Sequence, residues 1–274
     1  AAPAVSRATH PGCEGEGKTM AGHSKWANIK HTKMKEDFRR GQLFAKLTRQ
    51  IMVAARQGGP DPEANFKLRL AIDKAREANM PMDNIQRAIR RAVGQEEGTN
   101  YEEAIFEGYG PGGVAILVMA MTDNRNRTSG EIRHLFSRHG GSMAESGAVA
   151  WQFEPRGRLV VVPGEAGGSI DEEQLILDVA EAGGDDVRPL EGQAGYEVIC
   201  APSALSRVRD ALVQRGYHCQ EAQLTMVPKT TVSLEGPDAE RVLRLVDALE
   251  SHDDVQEVHA NFDIPDEVME ALQA

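Results

Sequence analysis

The sequence predicts a multi-domain α and α+β protein, in which an N-terminal helical bundle is followed by two α+β domains. Three short amphipathic helical segments come first, within residues 20–94. Between residues 158 and 227, the predicted elements follow the order β-α-β-β-α-β, which is that of a ferredoxin-like unit. The segments on either side of this unit are each incomplete. We therefore expect them to join into one domain, with the ferredoxin-like domain inserted into it.

The helical bundle is predicted from apolar residues at helical spacing. The spacing recurs in three segments: Phe44, Leu47, Ile51 and Ala54; Leu68, Ile72 and Ala75; and Ile85, Ala88 and Ile89. Gly58-Gly59-Pro60 and Asn79-Met80-Pro81 separate these segments, because glycine and proline break helices. We expect Asp61 to cap the second helix and Asp83 to cap the third. Three short helices with short links form a small bundle.

Strands mixed with helices are predicted beyond Gly94. Apolar runs and alternation predict strands over residues 101–109, 114–121, 158–162, 186–189, 196–201, 218–227, 230–235 and 255–262. Helical spacing predicts helices over residues 125–139, 171–182, 203–215 and 238–251. The predicted domains are a helical basic domain at 20–98, a discontinuous α+β domain at 99–150 plus 228–266, and an inserted ferredoxin-like domain at 151–227. Residues 1–19 hold Pro, Gly and Ser and lack the apolar segment of a secretory signal, so we expect a disordered extension.

The net charge of −11 is distributed unevenly along the chain. Residues 1–19 are neutral, residues 20–94 carry 16 basic and 7 acidic groups, and residues 95–274 carry 13 basic and 33 acidic groups. A basic segment in an acidic chain suggests a polyanionic partner, and the alternative is a basic domain that docks on its own acidic neighbour. No apolar run reaches the roughly 18 residues that span a bilayer, so no membrane partner is expected. Three cysteines without a CxxC pair favour a reducing compartment.

The strongest candidate binding surface is the basic segment at residues 22–33. It contains Lys25, Trp26, Lys30, His31 and Lys33, and the positive surface extends through Arg39, Arg40, Lys46 and Arg49. Lysines neutralise phosphates and release counterions, and an aromatic ring can stack on an unpaired base. The alternative is that Trp26 anchors the core and the lysines form a solvated face.

A second candidate is the helix pair around Met80-Pro81-Met82, which resembles a helix-turn-helix. Its second helix presents Arg87 and Arg90, whose side chains can read base edges in a major groove. The same pattern fits the solvated face of any helical hairpin. The segment Thr122–Thr128 places Arg125 and Arg127 at a helix N-terminus, where they could hold phosphates, while Asp123, Asn124 or Asn126 caps the helix.

The glycine-rich segment formally matches GxGxxG over Gly108, Tyr109, Gly110, Pro111, Gly112 and Gly113. A dinucleotide site needs a helix after this motif, and here a strand follows, so we expect a hairpin loop that could reach into a narrow partner site. No GxSxG, no HExxH and no cysteine–histidine motif is present. The sequence therefore predicts no catalytic residue, no cofactor and no metal.

Several of these segments together resemble one known family: the YebC proteins of bacteria and the related mitochondrial translational activator of cytochrome c oxidase. The resemblance rests on Ala21–Lys33, Gly58-Gly59-Pro60 with Asn65, Asn79-Met80-Pro81, Glu107–Gly113 and Thr122–Thr128, in that order. It runs from Met20 to near Pro265. It implies one helical and two α+β domains with a cleft between them, a cytoplasmic location and no catalysis.

The family resemblance implies two functions. One is a DNA-binding transcriptional regulator, whose partner is promoter DNA. The other is a ribosome-associated translation factor that binds ribosomal RNA and assists difficult stretches such as consecutive prolines. We expect the ribosomal role, with the glycine-rich loop entering a ribosomal site, and keep the DNA regulator as the alternative. A protein-interaction scaffold or small-molecule sensor is a third class. The sequence shows no heptad or dimer seam that would indicate the oligomeric state.

Overall fold

A computed structural model describes residues 36–94, 100–164, 169–190 and 194–264 of the chain. Its first part is a bundle of three helices, α1 (Glu36–Gly58), α2 (Phe66–Glu77) and α3 (Met82–Ala92). The predicted apolar seams form its core, where Leu47, Ile51, Leu68, Ile72 and Ile85 are buried. The helical character expected for this part of the chain is therefore observed.

Two predicted helix caps in the bundle are wrong. The N-cap of α2 is Asn65, whose Oδ1 accepts a hydrogen bond from the Leu68 N–H, and Asp61 lies before the helix. Asn65 is favoured over Asp61 as the cap because its amide also donates to the Ala54 carbonyl (2.8 Å) and the Gly59 carbonyl (2.9 Å), which a carboxylate could not do. Helix α3 begins after Pro81, so Asp83 lies in its first turn. There its negative charge still favours the positive end of the helix dipole.

The first sheet has strands from two distant parts of the chain. Strands β1 (Glu102–Tyr109), β2 (Ala115–Thr122), β3 (Ser142–Met143) and β9 (Val255–Ala260) pair antiparallel in the order β3-β1-β2-β9. Helices α4 (Arg125–Arg138) and α7 (Gly236–Glu250) pack on this sheet around Phe106, Val118, Ile132, Phe136 and Val242. Strand β8 (Val232–Ser233) is shorter than predicted and pairs parallel with β10 (Phe262–Asp263).

The second sheet lies between those two parts in sequence. Strands β4 (Phe153–Val162), β5 (Gly184–Pro189), β6 (Tyr196–Cys200) and β7 (His218–Pro228) pair antiparallel in the order β5-β6-β4-β7. Helices α5 (Glu172–Ala182) and α6 (Leu205–Gln214) pack on it through Leu175, Val179, Val208 and Leu212. This strand order is that of a ferredoxin-like unit. The mixed α/β character and the antiparallel sheets agree with the expected fold class, while the exact domain limits stay predictions.

Candidate nucleic-acid interface

The first part of the predicted binding surface lies outside the described residues. This applies to Lys25, Trp26, Lys30, His31 and Lys33, and to the side chain of Arg39, whose backbone lies in α1. Their proposed contact with a polyanion stays a prediction. Arg40, the next basic residue along α1, is exposed to solvent.

Further along α1, the basic side chains turn toward the acidic part of the protein. Lys46 Nζ donates to the Glu250 carbonyl at 2.6 Å, and Arg49 Nη1 donates to the Asp253 carbonyl. Arg49 Nη2 also lies 3.8 Å from the Asp254 carboxylate. Lys46, predicted as a phosphate contact, thus joins the bundle to the end of α7. Docking of the basic domain on its acidic neighbour, the alternative to a polyanion partner, accounts for this part of the charge pattern.

The turn after α7 is built around the buried carboxylate of Asp254. Its Oδ2 accepts hydrogen bonds from Arg127 Nη2 (2.5 Å) and Thr128 Oγ1 (2.7 Å). Burial raises the pKa of this carboxyl, but the hydrogen bonds from Thr128 and Arg127 and the positive charges outweigh it and hold the pKa below its usual range. Arg127, predicted as a phosphate ligand, is therefore held by a carboxylate of its own chain.

The N-terminus of α4 follows the sequence expectation for its polar residues. Asn124 is the N-cap, since its Oδ1 accepts from the Arg127 N–H at 3.1 Å. Arg125 remains exposed at this helix end, and Arg133, His134 and Arg138 are exposed further along α4. Exposed basic side chains thus occur along the whole of α4, and only those of its first turn were predicted from the sequence.

A cleft of about 840 Å³ separates α1 from α4. Arg49 and Gln42 line one wall, Arg127 and His134 line the other, and residues 251–254 line the base. The Arg49 guanidinium lies 5.4 Å from the ring centroid of Tyr101, a cation–π distance. Acidic groups at the base repel phosphates, which makes the cleft less suited to an anion than the exposed arginines outside it.

One group in the cleft has the residue types of a metal site. The ligand atoms of Glu131, His252 and Asp254 lie within 4.8 Å of one another. However, His252 Nδ1 accepts the Asp254 N–H (3.1 Å), so Nε2 carries the proton and donates to Glu131 at 2.9 Å. Asp254 in turn is held by Arg127 and Thr128. These hydrogen bonds explain the cluster without an ion.

Helix α3, the candidate recognition helix, presents Gln86 and Arg87 to solvent. Arg90 is half-buried and interacts within the protein, which makes it less suited to reading bases than the sequence suggested. Arg56 Nε donates to the Ala92 carbonyl at 3.4 Å and so ties the end of α3 to α1.

The glycine-rich loop is packed rather than extended. Gly108, Gly110 and Pro111 are buried, Tyr109 is half-buried, and Gly112 and Gly113 are exposed. A Cβ at Gly108 would lie 2.6 Å from the Phe136 ring, and Gly112 and Gly113 have φ values of 70° and 77°. The glycines therefore serve close packing and a tight turn between β1 and β2, as a hairpin loop requires.

Comparison with known proteins identifies the family. The model of the TACO1/YebC protein N-terminal domain matches residues 24–95, and that of the TACO1/YebC second and third domain matches residues 101–262. This chain belongs to the TACO1/YebC family.

Similar proteins cover almost the whole chain. A probable transcriptional regulatory protein of Dictyoglomus turgidum is 52% identical over 92% of this chain and 100% of its own. One of Carboxydothermus hydrogenoformans is 56% identical over 90% of this chain and 100% of its own. The crystal structure of a conserved hypothetical protein from Aquifex aeolicus superposes with a TM-score of 0.80 at 46% identity, covering 89% of this chain and 99% of that one.

For this member of the TACO1/YebC family, the sequence reasoning missed the role of Asp254 and the exposed Arg133 and Arg138. Arg133 could have been found by extending the helical spacing of Arg125 along α4, whereas Arg138 lies on another side of the helix. Asp254 gave no local signal, because the partners of its carboxylate lie more than 120 residues away. In the part of the chain that the structure describes, no helix is long and apolar enough to cross a bilayer.

Proposed function

We propose that this protein is a non-enzymatic, nucleic-acid-binding regulator of gene expression, and that its partner is ribosomal RNA, bound while it assists translation in the cytoplasm. The observation that carries the proposal is the exposure of basic side chains on separate helices. Arg40 lies on α1, Arg87 on α3, and Arg125 and Arg133 on α4. These arginines add to the lysine-rich segment at residues 25–33, which precedes α1 in sequence.

The spread of these arginines fits a folded RNA better than a single groove. Phosphate contacts position a protein on a nucleic acid, and a surface that carries them on several helices follows an irregular backbone. The network around Asp254 holds α1, α4 and the turn after α7 together, so the arginines of the bundle and of α4 keep a fixed relation. Catalysis stays with the ribosome, and this protein supplies positioning.

A DNA-binding transcriptional regulator is the second candidate. The exposed Gln86 and Arg87 on α3 favour it, because amide and guanidinium groups read base edges. The name of the Dictyoglomus and Carboxydothermus relatives, probable transcriptional regulatory protein, supports the same broad class. If this candidate is correct, Arg87→Ala combined with Arg90→Ala abolishes operator binding and leaves ribosome association intact.

Ultraviolet crosslinking in cells, followed by sequencing of the attached RNA and DNA, separates the two candidates. The proposal expects ribosomal RNA clustered in one region. Promoter DNA without ribosomal RNA supports the second candidate instead. If neither RNA nor DNA is crosslinked above background, the basic surface contacts protein, and both candidates are wrong.

Charge reversal then tests the surface itself. Lys25→Glu with Lys30→Glu should abolish co-sedimentation with ribosomes, and binding of the wild-type protein should weaken steeply with salt. The matched control is Arg241→Glu with Arg244→Glu, which makes the same charge change at exposed positions of α7. Unchanged co-sedimentation of a folded Lys25/Lys30 variant contradicts the predicted surface.

A further inference from the structure

Trp151 is the most exposed of the large apolar side chains in the described residues, with 65% of its surface accessible. It lies in a single 3-10 turn (Ala150–Gln152) directly before β4, and neither the family comparison nor the basic surface accounts for it. Exposing an indole to water is unfavourable. A side chain held in this state by specific bonds therefore calls for a functional explanation.

The indole is fixed rather than free to move. Trp151 Nε1 donates to the Ala148 carbonyl at 3.0 Å. The turn beneath it is clamped by the buried carboxylate of Glu107, which accepts N–H bonds from Gly147 (2.6 Å), Val149 (2.7 Å) and Ala150 (2.8 Å). An aromatic ring that is already ordered loses little conformational entropy when a ligand stacks on it.

A cation is bonded to the backbone of the same residue. Lys229 Nζ donates to the Trp151 carbonyl at 2.7 Å, and the Lys229 N–H donates to the Gln152 carbonyl at 2.8 Å. The Lys229 side chain is exposed, and an ammonium group has three donors, so it can bind an anion while it keeps its bond to the Trp151 carbonyl. The two chain segments that connect the sheets, before β4 and after β7, meet at this pair.

We infer that Trp151 and Lys229 form a binding site for an unpaired nucleotide, in which the indole stacks on the base and the ammonium contacts the adjacent phosphate. Aromatic rings beside basic groups bind single strands in this way, and every base offers a face for stacking. A protein-binding hot spot would lie in an apolar surround. The apolar residues directly before Trp151, at 148–150, are buried or half-buried, whereas the exposed segments around them, at residues 145–147 and 229–231, are polar or glycine. The inference rests on the proposed function and adds a second contact to it.

The test uses the full chain and a fluorescein-labelled single-stranded RNA of about 12 nucleotides, a length that spans one typical site. The chain has two tryptophans, so a Trp26→Phe protein reports only on Trp151. Each titration records the anisotropy of the RNA and the tryptophan fluorescence of the protein. We expect saturable quenching of Trp151 by the single strand and none by a duplex of the same sequence, whose bases stack on each other.

Substitutions supply the second part of the test. Trp151→Ala should weaken single-strand binding about tenfold, and Trp151→Phe should restore most of it, because stacking contributes on this scale. Lys229→Ala should weaken binding less and make it less dependent on salt. The control is Leu177→Ala, which removes another exposed apolar side chain (60% accessible) from α5.

The outcomes separate this inference from the proposed function. RNA binding without quenching, and with unchanged affinity in Trp151→Ala, overturns the stacking site and leaves the proposed function standing. Loss of ribosome association in Trp151→Ala with unchanged affinity for the single strand means that Trp151 contacts protein, which also overturns it. If the wild-type protein binds neither the single strand nor ribosomes, both proposals are wrong.

Discussion

Arg127 and Asp254 form an ion pair that ties the first turn of α4 to the turn before β9, with Arg127 Nη2 2.5 Å from the Asp254 carboxylate. Because Thr128 and Arg49 also face this carboxylate, it joins α1 and α4 to the turn after α7.

Asp254→Ala should lower the free energy of unfolding by about 2 kcal/mol, the scale of hydrogen bonds to a charged group. The loss should appear in urea unfolding at neutral pH. Since the folded pKa of Asp254 is lowered, its contribution is present above the unfolded pKa and disappears as the pH falls through the folded pKa. Asp253→Ala is the control, because this neighbouring side chain is exposed and should cost less than about 0.5 kcal/mol. Equal effects of the two variants would contradict the role of Asp254.

Glu77→Gln should make stability less dependent on pH. Burial, followed by repulsion from Glu221 and Asp73, raises the pKa of Glu77 to about 7, and the charges of Lys74 and Arg209 lower it less. A raised pKa favours folding below the unfolded value of 4.5, and this advantage is lost as the pH rises through about 7. The variant should therefore be more stable than wild type at pH about 8, by less than about 1 kcal/mol, because solvent screens a partly exposed group.

Denaturant unfolding at acidic and alkaline pH measures this effect. Glu63→Gln, an exposed carboxyl in the same helical bundle, serves as the control and should leave the pH profile unchanged. If Glu77→Gln lowers stability at alkaline pH, repulsion from Glu221 and Asp73 does not determine how Glu77 affects the free energy of unfolding.

Asn65→Ala should destabilise the helical bundle by about 2–3 kcal/mol. It removes the cap of α2 and leaves the buried carbonyl of Ala54 and the partly buried carbonyl of Gly59 without the amide that donates to them. Asn65→Asp should recover only the capping part, since a carboxylate cannot donate. Thermal unfolding followed by circular dichroism measures the difference, with the exposed Asn126→Ala as control. A loss no larger than that of the control would show that the bridge between α1 and α2 is dispensable.

Glu107→Gln should cost about 2 kcal/mol and loosen the turn at residues 147–151, because an amide cannot accept all three N–H bonds as a carboxylate does. Hydrogen exchange of the amides of Gly147, Val149 and Ala150 should accelerate. Glu103→Gln, on the same strand but exposed, should leave this exchange unchanged. Burial raises the pKa of Glu107, and the three backbone bonds outweigh it and lower the pKa, so acid should mimic the substitution.

The sequence predicts those parts of the structure that depend on local periodicity. The three apolar seams of the bundle and the β-α-β-β-α-β order follow from spacing alone. The hairpin at Gly110–Gly113 follows from the strand after it, but its close packing was not predicted. Asp61 and Asp83 fit the local pattern of a cap equally well. These two predicted caps are wrong for different reasons. Asn65 caps α2 because its amide also donates to carbonyls at the end of α1, and Pro81 already sets the start of α3.

Long-range bonds account for what sequence reasoning missed at the candidate site. Lys46 and Arg127 belong to a basic pattern, yet their partners Glu250 and Asp254 lie far away in the chain. Trp151 belongs to no sequence motif identified above. Only its hydrogen-bonded and exposed position in the structure distinguishes it from a core residue.

The pairing of Phe153 with Pro228 has a consequence for how the chain folds during synthesis. Strand β2 can pair with its chain neighbour β1 as soon as both are synthesised, but the partner of its other edge, β9, is synthesised only after all of residues 153–228. Once the second sheet forms, it brings its own two ends together, so β9 closes a much shorter effective loop. Loop-closure entropy rises with loop length, and early folding of the inserted unit therefore lowers the barrier to completing the first sheet. A nascent chain halted before β9 should expose the edge of β2, a site for misassembly that the finished protein conceals.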